Sequence, residues 1–277
     1  MSIAYYNGKF LPINEVRIPL TDRAIFFGDG IYEALIARGG KPHLLMKHID
    51  RFFTNASLLG LTFDKSREEL IALIDNSILL SGEESAFVYF QLTKYAEKRI
   101  HACPKTDKYN FLITVTDVPP PSPEKRLKLV TYPDLRYEYC NIKTLNLLPS
   151  VIASEYAERK GADEAVFYRG STVTECAHSN ISAIIGGILY THPKDRHILP
   201  GIAREALLEE CRRHGIPKRE EPFTREMLYS ADALLVTSST KICSLADTVD
   251  GKKISDSSPE ALFLCENLHK NFTDSTD

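Results

Sequence analysis

Four features of this chain combine residue types and spacings that could do chemistry. The first is an anion site. Leu199-Pro200-Gly201-Ile202-Ala203 runs directly into a helix expected from Ala203 to His214. Free N–H groups and the helix dipole at such a start favour a phosphate. Ser238-Ser239-Thr240 ends an apolar strand and offers hydroxyls, and Arg51 sits on a helix one turn from His48. The second feature is Lys143, in Cys140-Asn141-Ile142-Lys143-Thr144-Leu145-Asn146. Apolar neighbours imply partial burial, which disfavours the charged ammonium and so favours the neutral amine that imine formation needs. The third is Glu175, at the end of a strand. The fourth is Arg99-Ile100-His101: residues two apart in an extended segment point the same way, so both side chains could converge on one carboxylate. Each feature alone also has a plain reading. Helices need starts, most lysines and arginines are solvated, a strand-end glutamate is usually a surface group, and Arg-x-His can be an irregular polar loop.

The elements that must position these residues are legible from periodicity. Ile49, Phe52, Phe53, Ala56 and Leu59 fall at helical spacing between Leu45 and Gly60. Arg67 to Leu80 is a second helix. Ala86 to Thr93 and Phe111 to Thr116 are β-rich runs. A strand is expected near Leu127 to Thr131, then a helix over 147–160 stopped by Gly161. Glu164–Tyr168 with Thr172–Glu175 reads as a hairpin around Arg169-Gly170. Ile181–Ile185 with Ile188–Thr191 reads as another around Gly186-Gly187. Ala233 to Thr237 is an apolar strand. Asn271 to Asp277 reads as a frayed polar tail. The run Val118-Pro119-Pro120-Pro121-Ser122-Pro123 cannot continue a helix or a central strand. It divides an N-terminal α/β domain, 1–117, from a C-terminal one, 124–277, with 118–123 as linker. The fold class is mixed α/β in two domains.

Composition narrows the function classes. With 277 residues and 43% hydrophobic content, a sizeable core is available. A net charge of −3 favours neither nucleic acid nor an acidic membrane surface as a partner. The six cysteines form no C-x-x-C pair and read as reduced thiols of a cytoplasmic protein. The start, MSIAYYNGKF, is not a signal peptide, and no stretch has the apolar length of a membrane span. No metal is expected among the site residues.

Taken together, these features resemble the fold-type IV pyridoxal-phosphate enzymes, the class IV aminotransferases. The likeness covers nearly the whole chain. It runs from Asp22-Arg23-Ala24-Ile25-Phe26-Phe27-Gly28-Asp29-Gly30-Ile31-Tyr32-Glu33 through His48-Ile49-Asp50-Arg51 to Ile142-Lys143-Thr144-Leu145-Asn146. It continues through Thr172-Val173-Thr174-Glu175, Ser179-Asn180, Gly201-Ile202 and Thr237-Ser238-Ser239-Thr240. Within the family, Tyr89-Phe90-Gln91-Leu92-Thr93, Arg99-Ile100-His101 and Asn146-Leu147-Leu148 resemble the D-amino-acid aminotransferases. The resemblance implies pyridoxal 5′-phosphate carried by Lys143, which also moves the substrate proton. It implies that Glu175 pairs with the ring nitrogen, and that Arg51, the N–H groups of Ile202 and Ala203, and Ser239 with Thr240 hold the phosphate. Tyr32, Arg99 and His101 would bind the substrate carboxylate, the last two reaching the partner's site in a homodimer. The implied reaction transfers the amino group of a D-amino acid such as D-alanine to a 2-oxo acid such as 2-oxoglutarate, giving pyruvate and D-glutamate. Branched-chain or (R)-amine transamination, or aminodeoxychorismate lyase activity, are the alternatives within the family. The chain departs from the family pattern at Ala203, where threonine is usual. It departs also at Ala177 and His178, where relatives carry serines, and at Ser182, where an aromatic residue is usual.

Overall fold

The structure is a computed structural model that describes residues 3–96, 98–102, 106–255 and 258–276. It is mixed α/β, as the periodicities predict, and resolves into two compact units that part between Pro120 and Pro121. The first unit comprises 1–120, 142–146 and 274–277; the second comprises 121–141 and 147–273.

Six strands build the first unit: β1 (Ile3–Tyr6), β2 (Lys9–Pro12), β3 (Gly30–Arg38), β4 (Lys41–Pro42), β5 (Ser85–Lys94) and β6 (Tyr109–Asp117). Their order is β2-β1-β6-β5-β3-β4, antiparallel throughout. Along β3 the alternation buries Ile31, Glu33 and Leu35 and leaves Tyr32 and Ala34 on the other face. Three helices accompany the sheet: α1 (Arg23–Phe27), α2 (Leu45–Leu58) and α3 (Arg67–Ser81). Apolar residues of α2 and α3, among them Ile49, Phe52 and Ile74, share a core with Leu35, Phe90 and Phe111. Ser66 and Glu69 start α3 with reciprocal capping bonds.

The segment Ile142–Asn146 belongs to this unit, although the proline run alone would leave it in the C-terminal domain. Backbone pairing explains the excursion. Tyr32 N–H donates to the Lys143 carbonyl at 3.0 Å, and Leu145 N–H to the Gly30 carbonyl at 3.3 Å. β4 pairs only with Ala37 and Arg38, so the first half of β3 has an edge open to this segment.

The second unit holds β7 (Arg126–Pro133), β8 (Glu164–Arg169), β9 (Thr172–Cys176), β10 (Asn180–Ile185), β11 (Ile188–Thr191), β12 (Lys218–Glu220), β13 (Ala233–Thr237), β14 (Ser244–Val249) and β15 (Lys252–Lys253). The order is β12-β11-β10-β13-β14-β7-β8-β9, with β15 on β14. β7 runs parallel to both β14 and β8, and β11 parallel to β12; the remaining pairs are antiparallel. Its helices are α4 (Leu148–Arg159), α5 (Ile202–Arg213), α6 (Arg225–Tyr229) and α7 (Pro259–Thr276). Leu127, Val166, Ile181 and Leu234 share one of its core clusters.

One expectation is corrected here. The tail from Asn271 is not frayed; α7 runs through Thr276. Its polar composition hides a buried stripe at helical spacing, Leu264, Leu268 and Phe272, and Ser275 Oγ lies 3.0 Å from His43 Nδ1. Cys140, Cys176, Cys211, Cys243 and Cys265 are free thiols, and Cys103 lies outside the described residues. Among the described residues, no helix is long and apolar enough to cross a membrane.

Candidate active site

In the first unit, two glycines admit the lysine segment. A Cβ on Gly30 would meet the Leu92 carbonyl oxygen at 2.7 Å and Leu145 Cδ1 at 2.9 Å. Gly28 closes α1 at φ 59°, and a Cβ there would meet Asn146 Oδ1 at 2.6 Å. Asn146 Nδ2 instead donates to the Gly28 carbonyl at 3.1 Å. Lys143 is half-buried, and its Nζ lies 4.1 Å from the centre of the Tyr32 ring, where the π face attracts a cation. Tyr32 stacks on Tyr89 with ring centres 5.4 Å apart, and the Tyr89 hydroxyl donates to Gln91 Oε1 at 2.7 Å. Tyr32, Tyr89 and Gln91 share one face because Tyr32 opposes Gln91 and Ala34 opposes Tyr89 across β3 and β5.

On the opposite face lies a buried charge cluster. Arg51 clamps Glu33 bidentately, Nε to Oε1 at 2.7 Å and Nη2 to Oε2 at 2.8 Å. His48 Nδ1 donates to Oε2 at 2.7 Å. Burial pushes the Glu33 carboxyl up, but Arg51 and His48 together pull it down to about 2. Burial pushes the His48 imidazole down, which fits a neutral ring donating from Nδ1. Glu33 therefore favours the fold fully above its ordinary value of 4.5, and that contribution is lost as pH falls from there toward 2. Glu33→Gln should leave Arg51 as a buried cation without its counter-charge and cost ~3–5 kcal/mol of stability at neutral pH. Urea unfolding measures this; a midpoint equal to the parent's would contradict it.

Arg99 and His101 both pack against the Phe27 ring. The Arg99 guanidinium carbon lies 5.1 Å from that ring centre and the His101 ring centre 5.2 Å from it. The anchor is a residue sequence reasoning gave no role. Arg23 is almost fully buried. Its Nε donates to Asp29 Oδ2 at 2.7 Å, Nη1 to the Ile100 carbonyl at 2.5 Å and Nη2 to the His101 carbonyl at 3.0 Å.

In the second unit, Glu175 is buried on β9 and both its oxygens accept hydrogen bonds. Arg136 Nη1 donates to Oε1, while Asn180 Nδ2 at 3.0 Å and Leu199 N–H at 3.1 Å donate to Oε2. Burial pushes this carboxyl up to about 7, with the Arg136 guanidinium pulling against it. Arg136 is itself fixed by Asp134, Nε to Oδ1 at 2.9 Å and Nη2 to Oδ2 at 2.9 Å. A carboxylate has about four lone-pair positions, so Glu175 keeps capacity for one more donor.

Beyond Leu199 the chain enters α5 through Gly201, which supplies no side-chain cap to the first turn at Ile202 and Ala203. A Cβ at Gly201 would collide with Asn180 Oδ1, so glycine at this position makes room for the Asn180 side chain. The end of β13 lies beside it in the sheet, since Asn180 opposes Thr237. In the turn that follows, Ser238 Oγ lies 3.3 Å from Thr240 Oγ1 and accepts from Lys241 N–H at 3.1 Å. Ser239 and Thr240 are half-buried there. His178 lies in a charged group: its Nδ1 is 3.1 Å from Glu164 Oε1, and its Nε2 is 3.1 Å from Lys241 Nζ. Ala177 and Ser182 are buried.

Thus Tyr32 meets Lys143 in the first unit, Arg99 and His101 share the Phe27 ring, and Arg51 is pinned by Glu33. In the second, Glu175 meets the loop that leads to Ile202 and Ala203. Glu33, Arg23, Arg136 and Asn180 were not read as functional from sequence. Glu33 had a usable signal, a carboxylate in register with Ile31 and Leu35 on a buried face. Arg136 had none beyond its i,i+2 spacing from Asp134.

The amino-transferase class IV family model matches residues 30–244. D-alanine aminotransferase of Staphylococcus haemolyticus is 35% identical over 259 residues, covering 92% of each chain. The branched-chain aminotransferase of Thermoproteus uzoniensis superposes with a TM-score of 0.89 at 20% identity, covering 99% of this chain and 96% of that one. A fold IV-transaminase of Curtobacterium pusillum superposes with a TM-score of 0.83 at 19% identity, covering 97% and 99%. At these identities the two structures speak for the fold alone.

Proposed function

Because this chain belongs to the amino-transferase class IV family, we propose that it transfers amino groups between D-amino acids and 2-oxo acids with pyridoxal 5′-phosphate as cofactor. The observation that carries the substrate class is the 35% identity over 92% of the chain to a D-alanine aminotransferase.

The residues fit the cofactor. A helix end without a side-chain cap suits a phosphate. A buried carboxylate with one acceptor position left suits a ring N–H. Arg51, the N–H groups of Ile202 and Ala203, and the Ser239 and Thr240 hydroxyls would bind the phosphate, with Glu33 fixing the Arg51 guanidinium. Bound pyridoxal phosphate supplies an electron sink for negative charge at the substrate α carbon. Lys143 carries the cofactor and, as a free amine, takes and returns the α proton. Tyr32 orients that amine. Glu175 holds the proton of the ring nitrogen, and Arg136 favours the ionised form of Glu175. Tyr32, Arg99 and His101 bind the substrate carboxylate.

Assembly and location belong to the same proposal. Arg99 and His101 would serve the site of a second copy. The first unit exposes Leu20, Ile25, Phe26 and Ile100 around this segment, apolar surface suited to a homodimer. The free thiols fit a cytoplasmic location.

With D-alanine and 2-oxoglutarate, the purified chain loaded with cofactor should release pyruvate, followed by a coupled dehydrogenase assay. Turnover of L-leucine or (R)-phenylethylamine with none of D-alanine would overturn the substrate class. Arg99→Ala should raise KM for D-alanine ~10–100-fold with a smaller change in kcat, since it removes a charge-assisted contact. Arg23→Gln should move KM in the same direction by less, because it frees the segment without deleting its side chains. An unchanged KM in Arg99→Ala would remove that residue from the carboxylate site.

A further inference from the structure

Between β11 and α5, in the second unit, runs His192-Pro193-Lys194-Asp195-Arg196-His197. One donor atom from each of His192, Asp195 and His197 lies within 4.8 Å of the other two. His192 is buried, and its Nδ1 lies 3.0 Å from the Val173 carbonyl oxygen. A carbonyl only accepts, so Nδ1 donates there and Nε2 is the ring nitrogen left to act as a ligand atom. Nε2 lies 3.0 Å from Asp195 Oδ2. His197 Nδ1 approaches the same oxygen at 3.5 Å. Two imidazole nitrogens and one carboxylate oxygen therefore come together around one point.

The frame around the point is fixed. Asp195 Oδ1 accepts from His197 N–H at 2.7 Å, which turns Oδ2 toward the rings. The His192 carbonyl accepts from Arg204 Nη2 at 2.7 Å and the His197 carbonyl from Arg136 Nη2 at 3.0 Å. The nearby cations are already engaged: Arg196 pairs with Glu138 at 2.9 Å and Lys194 with Glu205 at 3.8 Å. Backbone-anchored imidazole with its other nitrogen on the metal is the usual outer-shell arrangement of a histidine ligand. A tetrahedral Zn²⁺ with bonds of about 2.0–2.2 Å sets neighbouring ligand atoms ~3.3 Å apart. The separations of 3.0 and 3.5 Å bracket that spacing.

We propose that His192, Asp195 and His197 form a binding site for a late first-row divalent metal such as Zn²⁺, with water completing the shell. The site is independent of the aminotransferase reading and takes no part in the reaction. Its place in the fold gives it a structural consequence. The loop it would pin carries the His197 carbonyl, bound to Arg136, and the Leu199 N–H, bound to Glu175.

Untagged holoenzyme, stripped with chelator and titrated with Zn²⁺ in a calorimeter, tests this. One equivalent per chain should bind, and Asp195→Asn and His197→Ala should each weaken binding at least tenfold. Both side chains are partly exposed, and circular dichroism checks that the variants fold. Titration with Co²⁺ should give the visible bands of tetrahedral nitrogen and oxygen ligation. Three results would overturn the proposal: no saturable binding, parental affinity in either variant, or a thiolate-to-cobalt band showing that a cysteine is the ligand. An ion pair of His192 with Asp195 alone would give the first of these.

Discussion

Lys143→Ala should reduce transamination to the upper end of the ~10²–10⁴-fold loss expected when a general base is removed, and should also abolish the visible absorbance of cofactor bonded to a lysine. The two readouts are needed together. Lys143 is asked to do two things, to carry the cofactor and to move a proton, and activity alone would not separate them. The structure gives the reason a substitute cannot take over. The lysine backbone is bound to β3 at Tyr32, and its amine lies 4.1 Å from the Tyr32 ring centre. Arg51 is held against Glu33 by two hydrogen bonds, and its guanidinium cannot act as a base. Added methylamine should restore part of the turnover to Lys143→Ala by supplying a diffusing base. Arginine at this position should not, since its guanidinium does not deprotonate in a protein. Near-parental kcat in Lys143→Ala would end the mechanistic reading, while leaving the family membership of the chain intact.

How far the sequence carried these assignments depends on what kind of signal each residue had. The strands and helices around Lys143 were legible because their burial is one-sided. Alternation in β5 and the 3.6-residue stripe of α2 each mark a face. The docking of Ile142–Asn146 onto β3 was not legible, because a five-residue segment has no period. The evidence for it lay in Gly28 and Gly30, whose missing side chains make room for Asn146 and Leu145. Motif likeness pointed to those glycines without giving that reason. Partners distant in sequence were the least visible. Arg136 and Glu175 are 39 residues apart, and Arg23 reaches Ile100 across 77. Only closure of the fold brings such groups together. The α7 tail shows the converse error, in which polar composition outweighed a three-residue apolar stripe.

Glu175→Gln should lower kcat roughly 10²–10³-fold, the scale of losing one preorganised electrostatic contact to the reacting system. The amide keeps the size of the side chain and can still accept from Asn180 and Leu199, so packing is not the cause of the loss. What goes is the negative charge, and with it the means of keeping a proton on the ring nitrogen. Glu175→Asp, which keeps the charge on a shorter stem, should retain more activity than the amide. The environment makes the contrast sharp. Burial pushes this carboxyl up to about 7 even against the pull of Arg136, so its ionisation near neutral pH leans on that guanidinium. Arg136→Met should therefore mimic Glu175→Gln in kcat while leaving the glutamate in place, because an isolated buried carboxyl stays protonated. Its residual activity should rise with pH at higher values than the parent's, because without Arg136 the carboxyl is pushed further up from about 7. Measuring kcat against pH for the three proteins decides the matter. If Glu175→Gln turns over as fast as the parent, charge at this position is not part of catalysis; if Arg136→Met does, Arg136 does not set that charge.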